Sequence, residues 1–247
     1  MPLFGLLDTQ AALTGAVEVQ SLFSSADEFQ VDDADVLTLT YEIDIDEGRK
    51  AVPVALHPSV PSYAQIVVRQ LRGGPWGPCT MAELRVNARA ATNYLGYCVG
   101  AIVDGEACLR ALRERYGVRA VAGDVRLERR YYGVFATAAV AGHTCLDAEV
   151  TGLLPINGQD VLFTPNLNLA LVAGAPRLVH QEMEYTIRSA QRGVTKLKTL
   201  IAASFGEHRV QVRRPLPPTL VTADVRYLAV GYLVDPDRPA LVGTTAV

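Results

Sequence analysis

The sequence predicts a mainly β fold of the α+β class, a closed β-barrel or sheet with one or two short helices. Short segments rich in β-branched and aromatic residues recur along most of the 247 residues, separated by Gly, Pro and Asn. One segment alone has the spacing of an amphipathic helix. Because so many strands would expose unpaired edges in an open sheet, we expect closure into an antiparallel or mixed barrel.

The first predicted strands precede the helix. Residues 36–43, VLTLTYEI, alternate as a strand with two different faces does, and residues 44–50 form a turn or a short helical segment. Further strands are predicted at 64–71, 82–90 and 94–103. The loop GGPWGPCT lies between 71 and 82, because its glycines and prolines do not fit inside a β-ladder.

The predicted helix covers residues 104–116, DGEACLRALRERY. It has an acidic first turn and carries Ala, Leu and Arg at helical spacing, and it ends at Gly117. Strands are then predicted at 125–130, 132–140, 148–153, 166–172, 178–187, 195–202 and 220–233.

Composition and charge indicate one soluble domain. With 49% hydrophobic and 20% charged residues the chain can bury a sizeable core, so we expect a single domain over 1–247, with 1–33 as an N-terminal extension. With a net charge of −3, the chain has no excess of basic residues to attract nucleic acid or an anionic membrane. No segment approaches the roughly 18 apolar residues of a membrane span, and no basic region precedes the apolar start. We expect a cytoplasmic protein whose partner is a small-molecule substrate.

The four cysteines, Cys79, Cys98, Cys108 and Cys145, are scattered without the CxxC spacing of metal sites or the density of a disulfide scaffold. Free thiols in a reducing compartment are therefore expected. Nothing in the sequence calls for a cofactor.

Four blocks of sequence occur in an order and at a spacing that together are distinctive. They are LTLTYEIDIDEGRKAVPVAL, then Tyr94-Leu95 followed by Asp104, Glu106 and Arg113-Glu114, then TPNLNLAL with GAPRLV, and finally GVTKL at 193–197. Through these blocks the chain resembles the acetoacetate decarboxylase family from about Val36 to Leu233. The resemblance implies a β-barrel pocket, a homo-oligomer and Schiff-base chemistry on a lysine.

The lysines of that chemistry are missing from the matching positions. The family activates a lysine through an adjacent cation, so that a neutral amine attacks a ketone. The resemblance places Ala120 and Val121 at the paired-lysine positions, and neither can form an imine. It also places Ala34 and Met81 where the family has an arginine and a pocket glutamate.

Three lysines, Lys50, Lys196 and Lys198, make up the chain's whole complement. Lys50 lies in a charged turn, and the other two share one face of a predicted strand. Such a pair is typical of a solvated outer face. A displaced catalytic lysine on the inner face of this strand is the alternative.

Period-two alternation places Met81, Glu83, Arg85 and Asn87 on one face of their strand. Because Met81 matches the family's pocket glutamate, Glu83 and Arg85 have the parity to project inward. Glu83 would then be a displaced acid or base, and Arg85 would bind a carboxylate or enolate oxygen. The structural alternative is an exposed face with a surface ion pair.

Histidines give weaker signals. His180, Glu182 and Glu184 are in phase on one predicted strand, either as metal ligands or as a solvated face. His143 lies in a probable turn, either as a general base or as an ordinary loop residue. His57 and His208 lie in loop-like contexts and indicate nothing. We expect His143 and His180 as catalytic candidates and no metal site.

Substrate-binding candidates surround the predicted helix. Tyr97 and Tyr116 each offer an apolar ring and one hydrogen bond to a ligand. Trp76, in the Gly-Pro loop, could close over such a site or simply anchor its own loop. The remaining candidates are Met81, Tyr94, Arg119 and Ala120, whereas Arg113-Glu114 is expected to be a structural pair.

The predicted function is an enzyme, a lyase or cyclase, that keeps the family's pocket without the imine. It would act on a keto, enol or polyketide-like molecule by cyclisation, isomerisation, dehydration or retro-aldol cleavage, in secondary metabolism. A preformed dry cavity can remove on the order of 7 to 11 kcal/mol of barrier by holding a flexible substrate. A decarboxylase or aldolase using Lys196 or Lys198, and an inactive binding protein, are the alternatives. We also expect Glu83→Gln to reduce turnover with little change in melting temperature.

Overall fold

The computed structural model describes residues 4–14, 17–206 and 209–247; His208 and part of the predicted N-terminal extension lie outside these ranges. Four α-helices are present in them: α1 Thr9–Ala12, α2 Ile45–Ala51, α3 Glu106–Tyr116 and α4 Ala240–Gly243. Short 3-10 turns cover Ser25–Asp27, Gly158–Asp160 and Ala202–Phe205. No helix in the described part of the chain has the length and apolar character needed to cross a membrane.

Strands make up most of the fold, as the sequence predicts. In chain order they are β1 Glu18–Val19, β2 Phe29–Glu42, β3 His57–Pro58, β4 Tyr63–Leu71, β5 Cys79–Ala90, β6 Asn93–Asp104, β7 Ala120–Ala122, β8 Asp124–Arg130, β9 Gly133–Val140, β10 His143–Pro155, β11 Asn166–Val172, β12 Ala175–Gln181, β13 Met183–Leu200, β14 Thr219–Tyr227, β15 Tyr232–Val234 and β16 Thr244–Ala246.

These strands form one large sheet that does not close into a barrel, so the expectation of closure is wrong. The order runs β16-β15-β12-β11-β6-β5-β4-β2-β14-β13-β10-β9-β8, with β8 and β16 at the two ends. Edge strand β8 carries the surface pairs Asp124–Arg126 and Glu128–Arg130. Charged side chains on an edge discourage pairing with another chain, which makes barrel closure unnecessary there.

A side-chain contact joins β8 to a distant strand where backbone pairing does not. Arg129 donates to the buried carboxylate of Asp35 on β2, with an Nε–Oδ2 distance of 3.2 Å, and Arg72 also pairs with Asp35. Thr222 on β14 donates a further hydrogen bond of 2.8 Å. The sheet therefore curls back on itself, and β8 packs against β5 and β6.

The central strands bury different cores on their two faces. On β5, Ala82, Leu84 and Val86 face the large apolar core shared with β8–β10. Cys79 and Met81 face a second core, formed with α3, β12 and β14. This second core contains the predicted polar face.

Of two local predictions, one is confirmed and one is wrong. The helix ends as predicted, because Gly117 adopts a left-handed φ of 67° and its N–H caps Arg113 and Leu112. The predicted strand 178–187 is instead two strands that break at Glu182. Beyond that break, β13 runs without interruption through Lys196 and Lys198.

Candidate functional site

A buried ion cluster lies on the inner face of β4 and β5. The Arg69 Nη1 atom is 2.6 Å from Glu83 Oε1, and the Arg85 Nε atom is 2.9 Å from Glu83 Oε2. A second Arg85 nitrogen, Nη2, also contacts Oε2. The side chains of all three residues are at most 3% exposed. The prediction that Glu83 and Arg85 project inward is thus confirmed, and the alternative of an exposed face is wrong.

Amide side chains from the neighbouring strands complete this cluster. Asn166 donates to Glu83 Oε2 over 3.2 Å, and Asn168 donates to Gln181 Oε1 over 3.2 Å. Asn168 also donates to the backbone oxygen of Tyr116, over 3.1 Å. Because β11 pairs with β6 on one side and β12 on the other, these amides share one face with Glu83.

The two arginines determine the protonation of Glu83. Burial alone would raise the pKa of this carboxyl, but the charges of Arg69 and Arg85, with hydrogen bonds from Arg85 and Asn166, lower it to about 2. A carboxyl with so low a pKa is a weak base near neutral pH. The geometry therefore favours an orienting role for Glu83 over the acid or base role predicted from the sequence.

Several buried polar atoms on this side have no hydrogen-bond partner among the described residues. They are Gln181 Nε2, Asn166 Oδ1, Asn168 Oδ1 and the Tyr227 hydroxyl. Buried polar atoms are normally satisfied by protein, water or ligand. The combination of unpaired donors and acceptors beside two guanidinium groups is suited to a small polar ligand.

Aromatic rings cover the cluster's side of the sheet. Phe23 stacks on Tyr116 at 4.7 Å, and Phe29 stacks on Tyr227 at 5.0 Å. Trp76 packs edge-on against Phe29 and Tyr227 at 4.7 and 4.9 Å. Trp76 therefore packs into this core from the loop between β4 and β5, and Tyr116 faces the same core with its hydroxyl bound to the Leu228 carbonyl.

Other predicted residues divide between the two sides of the sheet. Met81 and Ala120 are buried in the same core as the ion cluster. Tyr97 and Arg119 instead line a separate cavity of about 240 Å³ with Leu7, Asp8 and Val99. The bulge between β5 and β6 changes the register by one residue at Arg85, so that Cys98 rather than Val99 pairs with it and Tyr97 faces the other side.

Neither catalytic histidine reaches the cluster. His143 is exposed at the start of β10. His180 is buried but faces away from Gln181, stacked on Tyr232 at 4.1 Å, and it shares an open groove of about 420 Å³ with Tyr94 and Glu182. Burial lowers the pKa of His180 to about 4.

Metal ligation by the predicted strand face gains no support. Glu182, whose Oε2 lies 3.7 Å from His180 Nε2, is in the break between β12 and β13, and Glu184 is exposed on β13. Within the described ranges, no group of three or more His, Cys, Asp or Glu side chains is arranged to hold a metal ion.

The lysines are all at the surface. Lys50, Lys196 and Lys198 are exposed, and Lys198 lies 3.5 Å from Asp147 and 3.6 Å from Glu149. All four cysteines are buried and free.

Sequence reasoning missed Arg69, the amides, Tyr185 and Tyr227. A single arginine inside the apolar run IVVRQL was a usable signal for Arg69, since a charged residue in a buried strand needs a partner. The alternating asparagines of PNLNL were a comparable signal for Asn166 and Asn168. Nothing local distinguishes Tyr185 or Tyr227 from other strand tyrosines.

No family model and no curated protein matches the chain, but solved structures do. A structure of acetoacetate decarboxylase from Legionella pneumophila superimposes with a TM-score of 0.72 at 14% identity, covering 81% of this chain and 85% of that one. A second acetoacetate decarboxylase structure gives 0.73 at 16% identity, covering 88% of each chain. This chain has the acetoacetate decarboxylase fold. The enduracididine biosynthesis enzyme MppR complexed with pyruvate shares the acetoacetate decarboxylase fold with it, with a TM-score of 0.66 at 15% identity over 81% of this chain and 87% of that one.

Proposed function

We propose that this chain is an enzyme of the acetoacetate decarboxylase-like superfamily that acts on a small keto or enol anion without a covalent imine. A fold alone does not determine chemistry. The observation that carries the proposal is the buried cluster of two guanidinium groups and one carboxylate.

The charge of this cluster favours an anionic ligand. Arginine stays protonated in proteins, so the cluster of Arg69, Arg85 and Glu83 carries a net charge of +1. Asp35, the other buried acidic side chain of the described residues, is bound to Arg72 and Arg129. An uncompensated buried charge is costly, and a carboxylate or enolate would neutralise it.

The same groups favour catalysis by electrostatic stabilisation. Preorganised donors aimed at a developing enolate act strongly in a site that excludes water. Arg85 and the free Nε2 donor of Gln181 are suited to this role, with Glu83 holding both guanidinium groups in place. A substrate that binds as its enol anion has already lost its proton to water, so isomerisation, cyclisation and dehydration can start from this enolate without a protein base, and retro-aldol cleavage releases one.

The exposure of the three lysines argues against imine chemistry on a displaced lysine. All three side chains lie at the surface rather than in the buried cluster, so none can attack a ketone held there. The pyruvate complex of MppR is a property of that enzyme, and it makes pyruvate a sensible first probe here. A role in secondary metabolism is part of the same proposal.

The test is turnover without reductant, with brief borohydride trapping of a parallel sample, because borohydride itself reduces ketones and aldehydes. Pyruvate with aldehydes, β-keto acids and 1,3-diketones are incubated with the chain, products are read by mass spectrometry, and the intact protein is weighed. We expect conversion of at least one substrate, no reduced adduct, and loss of turnover in Arg85→Met. Lys196→Met/Lys198→Met is the matched control and should keep full activity. A stable adduct on a lysine would contradict the proposal.

A binding protein without turnover is the second candidate. The low pKa of Glu83 favours it, because the cluster then contains no group ready to move a proton. Binding of panel members with every one left unchanged would support this candidate over the enzyme.

A further inference from the structure

A ten-residue segment, residues 156–165, borders the ion cluster. It joins β10 to β11, and its end contacts Arg85 directly and Arg69 through Tyr185 of β13. Arg85 Nη1 donates to the Thr164 carbonyl over 3.4 Å. The Phe163 ring stacks on Tyr185 at 3.7 Å with an interplanar angle of 11°, and the Tyr185 hydroxyl accepts from Arg69 Nε over 3.3 Å.

The rest of this segment is weakly attached. Its start is joined to β13 by the Ile156 N–H to Ala190 carbonyl bond of 3.0 Å, and its backbone bonds at 160 and 161 are internal to the segment. Leu162 is 74% exposed. Its apolar side chains pack on a small satellite core of Ala190, Val221 and Ala223.

The opposite approach to the cluster is much more firmly closed. There the five rings of Phe23, Phe29, Trp76, Tyr116 and Tyr227 pack against one another. Segments with few buried apolar contacts open at lower free energy than packed cores. Of these two sides, the segment side is the one that opens more easily.

We infer that residues 156–165 are the movable cover through which a ligand reaches the Arg69–Glu83–Arg85 cluster, and that the Phe163–Tyr185 stack holds this cover closed. That a ligand binds at the cluster is taken from the proposed function, on which this inference rests. The motion itself can be measured with no ligand present.

Cys98 and Cys145 provide matched reporters in the unmodified chain. Cys98 pairs with Arg85 in the β5–β6 register and is 2% exposed, on the side of the cluster. Cys145 is fully buried in the other core. Pulsed iodoacetamide labelling with peptide mapping follows both thiols at once, so Cys98 reports opening of the cover and Cys145 reports global unfolding.

Phe163→Ala is compared with Leu162→Ala, which truncates the exposed neighbour. We expect Phe163→Ala to accelerate labelling of Cys98 roughly tenfold or more, since loss of an aromatic stack of about 1.4 kcal/mol changes an opening equilibrium by that factor. Labelling of Cys145 should be unchanged, and Leu162→Ala should change neither rate.

An unchanged Cys98 rate in Phe163→Ala would overturn the inference, and so would equal acceleration at Cys98 and Cys145, which indicates general destabilisation. Added pyruvate separates the two proposals. In one outcome, pyruvate leaves Cys98 labelling of the wild-type chain unchanged while Phe163→Ala still accelerates it. That result would contradict the proposed ligand class and support the movable cover.

Discussion

Glu83 lies between two guanidinium groups, and this position explains why one side chain can matter for both folding and function. Its carboxylate satisfies Arg69 on one oxygen and Arg85 on the other. Removing one partner of a buried ion pair leaves an unpaired charge in a medium that solvates it poorly. The burial of Glu83 therefore changes the sequence-based expectation that its substitution leaves the melting temperature unaffected.

We predict that Glu83→Gln lowers the free energy of unfolding by about 3 to 5 kcal/mol, because two buried guanidinium groups lose their counter-charge. Chemical denaturation measures this loss. Glu128→Gln, which breaks the half-exposed pair with Arg130, should cost much less, because solvent screens a surface ion pair. Equal small losses in both variants would show that the cluster does not depend on Glu83.

His180 gives a second prediction at this scale, a pH dependence. Its pKa is lowered by burial from 6.5 to about 4 in the folded chain, so the unfolded chain binds the extra proton first as pH falls. His180 therefore does not reduce the free energy of unfolding above about pH 6.5. Between pH 6.5 and pH 4 it reduces this free energy by about 3 kcal/mol in all.

His180→Phe should flatten that decline, because phenylalanine keeps the stack on Tyr232 and has no proton to bind. Urea denaturation at several pH values between 4 and 8 measures the slope. The two curves should be parallel above pH 7. A wild-type curve that is flat between pH 6.5 and 4 would contradict the assignment.

At the scale of elements, the β9–β10 hairpin has a residue in an unfavourable backbone conformation. The β9–β10 hairpin turns through Ala141 and Gly142, whose φ values are 50° and 79°. Two positive φ angles define the turn type that suits the twist of two-residue hairpins, and Asn-Gly is its preferred sequence. Alanine at the first position is less favourable than asparagine, because its Cβ is crowded by the following carbonyl oxygen at positive φ.

We predict that Ala141→Asn stabilises the chain by about 0.5 to 1 kcal/mol, whereas Gly142→Ala destabilises it by about 1 kcal/mol or more. A Cβ at Gly142 would meet no atom within 4 Å, so the second effect isolates backbone conformation from packing. Thermal denaturation of the two variants gives both signs. A loss of stability in Ala141→Asn would contradict the turn assignment.

At the scale of the whole molecule, the positions of most strands along the chain follow from the local residue pattern. Whether the sheet closes into a barrel does not. Alternation and turn residues locate β4, β5, β6, α3 and β11 closely. Whether a sheet closes depends on partners far apart in sequence, such as Arg129 and Asp35, 94 residues apart. The sequence also gives no sign of the break at Glu182, because the polar residues His180 and Glu184 stay in phase on either side of it.

The candidate site shows the same division between local and long-range information. Strand parity was enough to place Glu83 and Arg85 inside. Tyr97, predicted to contact ligand through its phenol, lies on the other face, because the bulge opposite Arg85 shifts the register. Arg69 enters the site only through the pairing of β4 with β5, which places it diagonally across from Glu83. A homo-oligomer and a cytoplasmic location stay predictions.

Binding selectivity for charge tests the central claim most directly. Pyruvate and its neutral amide, pyruvamide, are of similar size and share a ketone, so calorimetric titration of both isolates the contribution of the carboxylate. If the cluster's surplus positive charge selects the ligand, pyruvate should bind roughly tenfold or more tightly, and Arg85→Met should remove the difference. Equal or tighter binding of pyruvamide by the wild-type chain would contradict the account.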